Sequence, residues 1–273
     1  VNYPRLKKGA ANMANNSNKK NDSITPRDVN FAQWYTDVCR KAELMDYSSV
    51  KGFIDYLPYS YAMWEEIQAY LNRKFKEVLH SSNVYLPTVI PMSLFNKEKE
   101  HVEGFAPETL VATVGGGKKL DDPLVIRPTS EILFSDMYKR LVSSYRDLPK
   151  CYNQWCSVVR WEKTTRPFLR GSEFLWQEGH CLFETEKEAI QNALDARQVY
   201  EDLGREVLAI PFLTGEKTEH ERFAGAVHTY TVEALMHDGK TLQSGTSHYL
   251  GKGFAEAFGV SFLGRENKLE APH

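Results

Sequence analysis

The chain has 273 residues, 42% of them hydrophobic, which is enough for one large domain with a substantial core. With 34 Lys and Arg against 36 Asp and Glu, the formal net charge of −2 announces no general nucleic-acid binder, so any RNA contact must be local. Cys39, Cys151, Cys156 and Cys181 show no C-x-x-C pair and no matched His spacing, which predicts a reducing, cytoplasmic setting without a zinc site, and no apolar run approaches the roughly 18 residues of a membrane span.

Residues 1–24, rich in Asn, Lys and Ser and lacking an apolar signal core, are expected to be disordered. Thr25, Pro26 and Asp28 read as the cap and first turn of a helix that carries Phe31, Trp34, Tyr35, Val38 and Ala42 at helical spacing. Residues 50–61, with Gly52 and Pro58, predict a short strand and turn. An amphipathic helix follows at 61–80, with Trp64, Ile67, Leu71, Phe75 and Val78 on one stripe, then an extended run at 84–91 closed by Pro91. After a short strand at 110–114, Gly115, Gly116 and Gly117 precede Lys118 and Lys119; the G-x-x-x-x-G-K spacing is absent, so a flexible hairpin tip is expected rather than a phosphate loop. A strand at 124–127 breaks at Pro128. Thr129 and Ser130 then offer hydroxyls at a helix start, with Glu131 in its first turn. A capped helix accounts for Ser130; it does not require both Thr129 and Glu131.

The most informative stretch is VVRWEKTTRPFLRGSEFLWQEGH, residues 158–180. Two alternating runs, 158–162 and 173–180, flank a polar segment with Pro167 and Gly171, which predicts strand, long loop, strand. Alternation puts Val158, Arg160 and Glu162 on one face and Phe174, Trp176, Glu178 and His180 on one face of the partner, with Val159, Trp161, Leu175 and Cys181 opposite, toward helices. Arg and Glu two apart usually mark a solvated face or a weak ion pair. Two rings beside them point instead to stacking on a planar group such as a base, and Lys163, Arg166 and Arg170 supply cations suited to a phosphate chain.

Downstream, Thr185 and Glu188 form a capping box for a helix to about Leu203, stopped by Gly204. Residues 208–212 look like a strand, 217–225 like a charged loop, and 228–236 like a strand turning at Asp238 and Gly239 into a return at 240–243. Small polar residues at 244–248 end that return, before a helix through Phe254, Ala257 and Phe258. The expected fold class is α+β, a mostly antiparallel sheet flanked by helices.

Five separated motifs, HVEGFAPE (101–108), RPTSE (127–131), VVRWE (158–162), FLRGSEFLWQEGH (168–180) and GTSHYLGKGF (245–254), together resemble the prolyl-tRNA synthetases, class II aminoacyl-tRNA synthetases, over residues 28–273. The interval of about sixty residues between His180 and Gln243 leaves no room for the editing domain of bacterial-type members, which narrows the resemblance to the archaeal and eukaryotic-like type. The resemblance implies a class II synthetase-like catalytic domain at 25–273 that stops short of motif 3 and of the anticodon-binding domain, with residues 61–91 similar to the motif 1 unit that builds a homodimer. It implies ATP and Mg2+ as cofactors, L-proline and tRNA(Pro) as partners, and no covalent enzyme intermediate.

Position by position, the resemblance implies that Arg160 holds the α-phosphate and the attacking carboxylate, Glu162 accepts from adenine, Phe174 stacks on it and Arg170 approaches the phosphates. Gln243 and Thr246 resemble residues that hold the ribose. Thr129 and Glu131 match acceptors for the proline nitrogen, which suits a protonated secondary amine with two donors; Trp176, Glu178, His180 and His248 border the proline pocket, and Phe105 and Glu108 lie on its rim. Ser172 stands where many relatives carry a basic residue. A non-catalytic synthetase-like protein that binds proline or a nucleotide is the competing expectation.

Overall fold

A computed structural model describes residues 23–101 and 108–273, residues 97–101 by backbone only. Phe105, the expected disordered segment up to residue 22 and the side chain of His101 lie outside the described residues. Two compact units divide the chain, Val1–Ala42 and Glu43–His273.

In the first unit, helix α1 (Phe31–Lys41) starts later than the sequence suggests, because Asn30 caps it by accepting from the Gln33 amide at 3.1 Å. Thr25 is no cap; its amide and hydroxyl both donate to Asp37.

The second unit opens with a hairpin, β1 (Met45–Tyr47) and β2 (Ile54–Tyr56), and helix α2 (Pro58–Val78). Pro58 belongs to the first turn of α2 and not to the preceding turn, since a missing N–H costs nothing there. The extended run expected at 84–91 contributes only at its end: β3 (Ser82–Asn83) pairs parallel with one sheet and β4 (Val89–Pro91) antiparallel with another. Helix α3 (Met92–His101) leads to the described strands β5 (Val111–Gly115) and β6 (Lys118–Ile126), joined through Gly116 and Gly117 at φ of 58° and 77°. Both glycines have positive φ, as a tight two-residue hairpin requires, so the triplet is a hairpin tip. Helix α4 (Glu131–Leu141) follows.

The long hairpin β7 (Lys150–Val159) and β8 (Glu173–Leu182) pairs in continuous antiparallel register, and with β3 makes a three-stranded sheet. β7 starts eight residues before Val158 and ends at Val159, so Arg160 and Glu162 lie beyond it and Trp161 is 48% exposed. Helix α5 (Glu186–Leu203) carries the expected Thr185–Glu188 capping box. Gly204 does not stop it: the chain runs on in a π-helical turn, Gly204–Leu208, and leaves through Ala209 at φ 53°. Gly204 is required for space instead, since a Cβ there would meet the Phe212 ring at 2.3 Å. The strand expected at 208–212 lies later, as β9 (Leu213–Glu216), which pairs with β10 (His228–Leu235). β10 pairs in turn with β11 (Thr241–Tyr249), which continues through the small polar residues instead of ending at them. Helix α6 (Gly253–Phe258), β12 (Phe262–Leu263) and β13 (Leu269–Glu270) complete the unit.

The β7–β8 hairpin organises the packing. One face turns Trp155 toward α2 and α5, against Trp64 at 5.6 Å and Phe75 at 6.3 Å. The other carries Tyr152, which stacks on Tyr138 of α4 at 5.7 Å, next to a core built from Ile90, Phe95, Val125, Ile132, Phe134 and Phe262, each no more than 1% exposed. That second face also bears the charged groups. The architecture is therefore α+β with antiparallel pairing throughout except β3–β7 among the described strands.

Candidate functional site

In an antiparallel ladder, directly opposed residues share a face. The register opposes Val158 to Phe174, Cys156 to Trp176, Gln154 to Glu178 and Tyr152 to His180, so these eight side chains share one face, and Phe174, Trp176, Glu178 and His180 form the floor of a cleft within a cavity of about 1220 Å³ that also reaches Leu175, Gln177 and Cys181 on the other face. Its lining includes Glu131, Arg160, Glu162, Arg170, Phe174, Trp176, Glu178, His180, Gln243, Thr246 and His248.

Arg160 leaves the end of β7 and folds back over the floor, its guanidinium carbon 5.4 Å from the centroids of both Phe174 and Trp176. Its Nε donates to the Pro128 carbonyl at 3.1 Å, which ties it to the Thr129–Glu131 loop and leaves its terminal nitrogens for the cleft. Burial lowers the Arg160 pKa from its usual value, against the opposing charges of Glu131, Glu162 and Glu178. Phe174 and Trp176 meet edge to face at 5.7 Å. Arg170 reaches Glu162 at 3.9 Å.

Thr129, 4% exposed, donates its hydroxyl to Glu131 at 2.5 Å. Burial raises the Glu131 carboxyl above the usual range; the charge of His180 opposes that rise and the charge of Glu178 adds to it. His180 lies flat on Phe134, ring centroids 4.1 Å apart, with Nε2 3.3 Å from Glu178. Burial works against its charge, but the bond to Glu178 and the charges of Glu131 and Glu178 hold its pKa above the ordinary value.

The opposite wall comes from β10 and β11. His248 bridges Thr229, 3.0 Å from Nδ1, and Thr246, 3.2 Å from Nε2. Burial, then the positive charges of Lys217 and His180, push it down to about 4, so this imidazole is neutral. Gln243 is held through its side-chain oxygen by Lys217, whose ammonium also faces Glu233 at 3.8 Å. An ammonium only donates, so the Gln243 amide presents N–H groups elsewhere.

The sequence-derived set thus gathers in one place with three exceptions. Thr129 is outside the lining and reaches it through its bond to Glu131. Glu108 is outside it too; it pairs with Lys163 at 3.4 Å and receives the Trp161 amide through its carbonyl. Phe105 lies outside the described residues. Sequence reasoning missed Gln154, Lys217, Phe134 and the Pro128 carbonyl. Gln154 was recoverable: extending the alternation of β7 two residues at a time back from Val158 reaches it. Ser130 corrects the sequence reading, since its hydroxyl makes no helix cap and turns toward Glu178.

Chemically, the cleft offers a planar cation over two rings, a hydroxyl–carboxylate pair, and a neutral polar wall. Among the described residues no group of three or more His, Cys, Asp or Glu is placed to hold a metal ion, and no helix is long and apolar enough to cross a membrane.

The chain is 57% identical over 255 residues to a proline--tRNA ligase of Phytoplasma australiense, covering 93% of this chain and 54% of that protein. It is 58% identical over 258 residues to one from Lachnoclostridium phytofermentans, covering 94% and 54%. It thus spans about half the length of these relatives. A crystal structure of prolyl-tRNA synthetase from Cryptosporidium parvum complexed with halofuginone and AMPPNP superposes with a TM-score of 0.87 at 38% identity, over 92% of this chain and 52% of that one. The complex of the same synthetase with L-proline and AMP gives 0.85 at 33%, over 96% and 52%. Residues 113–273, more than half of the chain, match the family model of the tRNA synthetase class II core domain (G, H, P, S and T), and the chain belongs to that family.

Proposed function

We propose that the protein carrying this chain is a proline–tRNA ligase, which activates L-proline with ATP to prolyl-adenylate and passes the prolyl group to the 3′ end of tRNA(Pro). The observation that carries this reading is the tie between Arg160 and the Thr129–Glu131 loop through Pro128, which sets a phosphate-binding cation beside an acceptor pair for a cationic amine. Proline and AMP in the Cryptosporidium parvum complex, and AMPPNP in the other, support the same ligands here.

Arg160 holds the α-phosphate and the proline carboxylate in line, so that the carboxylate oxygen attacks phosphorus as pyrophosphate leaves. Phe174 stacks on the adenine, Glu162 accepts from its amino group, Arg170 meets the phosphates, and Gln243 and Thr246 hold the ribose. Thr129 and Glu131 receive the proline nitrogen, with Trp176, His180 and His248 around the ring. Magnesium accompanies the nucleotide phosphates, and no residue of this chain is given to it. A second copy of the chain docks through 61–91, where Met63 and Tyr85 are 53% and 68% exposed, and the enzyme works in the cytoplasm.

Proline-dependent ATP–pyrophosphate exchange by the intact protein, with alanine as control, tests the activity. Calorimetric titration of the 273-residue chain with a non-hydrolysable prolyl-adenylate analogue tests the cleft itself. Proline-selective exchange is the expected result; exchange with neither amino acid refutes the assignment.

A further inference from the structure

Glu178 is 7% exposed and its carboxylate is surrounded by donors from the protein. Oε1 accepts from the Ser130 hydroxyl at 2.6 Å, Gln154 Nε2 at 3.2 Å and Cys156 Sγ at 3.4 Å. Oε2 accepts from the Ser130 amide at 3.0 Å and faces His180 Nε2 at 3.3 Å. A carboxylate has about four lone-pair sites, and these five donors leave none for a ligand. Burial alone would raise this carboxyl, yet the bonds from His180, Ser130 and Cys156 hold it below its usual range.

Ser130 and Gln154 are both fully buried. Gln154 accepts the Leu86 amide and donates onward to the Ser130 hydroxyl and Glu178, so the network runs from the chain before β4, through β7, to the start of α4. Ser130 stands between Thr129 and Glu131. Fixing its amide and hydroxyl fixes the backbone that aims both neighbours.

Resting on the proline reading above, we propose that Glu178 is not a substrate contact but a positioning residue. It anchors Ser130, the residue just before α4, by its amide and hydroxyl and so holds Thr129 and Glu131 at the geometry that receives the amine. A charged acceptor suits this place, because the amide at a helix start carries the positive end of the helix dipole.

The test uses Glu178→Gln, Ser130→Ala and the double variant of the intact protein. The glutamine amide supplies one oxygen and turns an NH2 against donors that need acceptors. Proline KM in exchange is expected to rise about 10- to 100-fold in Glu178→Gln, with ATP KM within about twofold. Ser130→Ala, the milder change, moves proline KM the same way, and the double variant is no worse than Glu178→Gln because both cut one connection. Effects that multiply in the double variant, as a direct Glu178–substrate contact independent of Ser130 would give, overturn the proposal, as does parallel loss of affinity for both substrates. Hydrogen exchange of the peptide spanning 127–134 needs no activity: faster exchange there in Glu178→Gln supports the anchor, and unchanged protection refutes it. Wild-type protein without proline-dependent exchange would sink the functional reading alone, while the exchange-protection result still judges the anchor.

Discussion

Replacing Arg160 by lysine separates charge from geometry at the centre of the cleft. Both side chains carry one positive charge, so a site that needs only charge would keep most of its rate. The guanidinium here does three further things. Its Nε is bonded to the Pro128 carbonyl, its central carbon lies 5.4 Å from the Phe174 and Trp176 centroids, and its remaining N–H groups form a fork. A lysine ammonium is a point donor on a flexible stem and cannot hold Pro128 while reaching two oxygens at once. Losing one such preorganised contact to developing charge commonly costs about 10²- to 10³-fold in rate, or about 3–4 kcal/mol. The ring contacts add roughly 0.5–1 kcal/mol each. Exchange by Arg160→Lys is therefore expected to fall at least about 100-fold. Because the charge facing Glu131, Glu162 and Glu178 is retained, its thermal midpoint stays close to wild type. Arg160→Ala should lose as much rate while also uncovering both rings. Exchange by Arg160→Lys within about threefold of wild type would refute the geometric argument and leave charge as the only requirement.

Three other outcomes follow from the same geometry. His248 is held near 4 in the fold against 6.5 when unfolded, so its contribution is complete above about 6.5 and is lost as pH falls toward 4, by up to about 3 kcal/mol; His248→Gln should flatten that part of a plot of melting temperature against pH. Glu131 has a raised pKa, and once protonated it cannot receive a cationic amine, so proline KM should climb as pH drops through that raised value while ATP KM does not follow; a flat proline profile contradicts this. Gly204→Ala places a methyl 2.3 Å from the Phe212 ring and 2.8 Å from the Ile210 carbonyl oxygen, an overpacking expected to cost about 1–3 kcal/mol in thermal melts.

How much of this was legible in the sequence differs by element. Alternation in 173–180 identified the floor of the cleft because a ten-residue strand with one charged and one apolar face leaves a period that survives translation into structure. The partner strand was misplaced by eight residues, since KCYNQWCS mixes polar and aromatic residues on both faces: Gln154 points into a buried network and Trp155 into a helix pair. Composition cannot distinguish a buried glutamine with three partners from an exposed one. Gly204 was read as a helix stop from its residue type, whereas its backbone is right-handed and its real constraint is a ring brought close by the following eight residues. Ser130 looked like a cap for the same local reason. Its actual partner, Glu178, is 48 residues away, and only tertiary structure reveals it.

The groups of the cleft satisfy one another, and this bears on selectivity. Thr129 donates to Glu131, Arg170 faces Glu162, Lys217 holds Gln243, and Thr246 and Thr229 hold the neutral His248. At Thr129 and Glu131 a ligand gains affinity only by replacing a bond already made, so each polar group it brings there must match in sign and direction what it displaces. A cationic secondary amine meets that condition at Thr129 and Glu131: its two N–H groups can donate to hydroxyl and carboxylate together, turning one internal bond into two charge-assisted ones. A neutral ring of the same shape opens the Thr129–Glu131 bond and returns nothing, leaving a buried carboxyl without its donor. On the proline reading proposed above, the apolar surroundings of Phe134 and Trp176 set the size of what enters, while the choice between amine and carbon falls to Thr129 and Glu131, the two neighbours of Ser130.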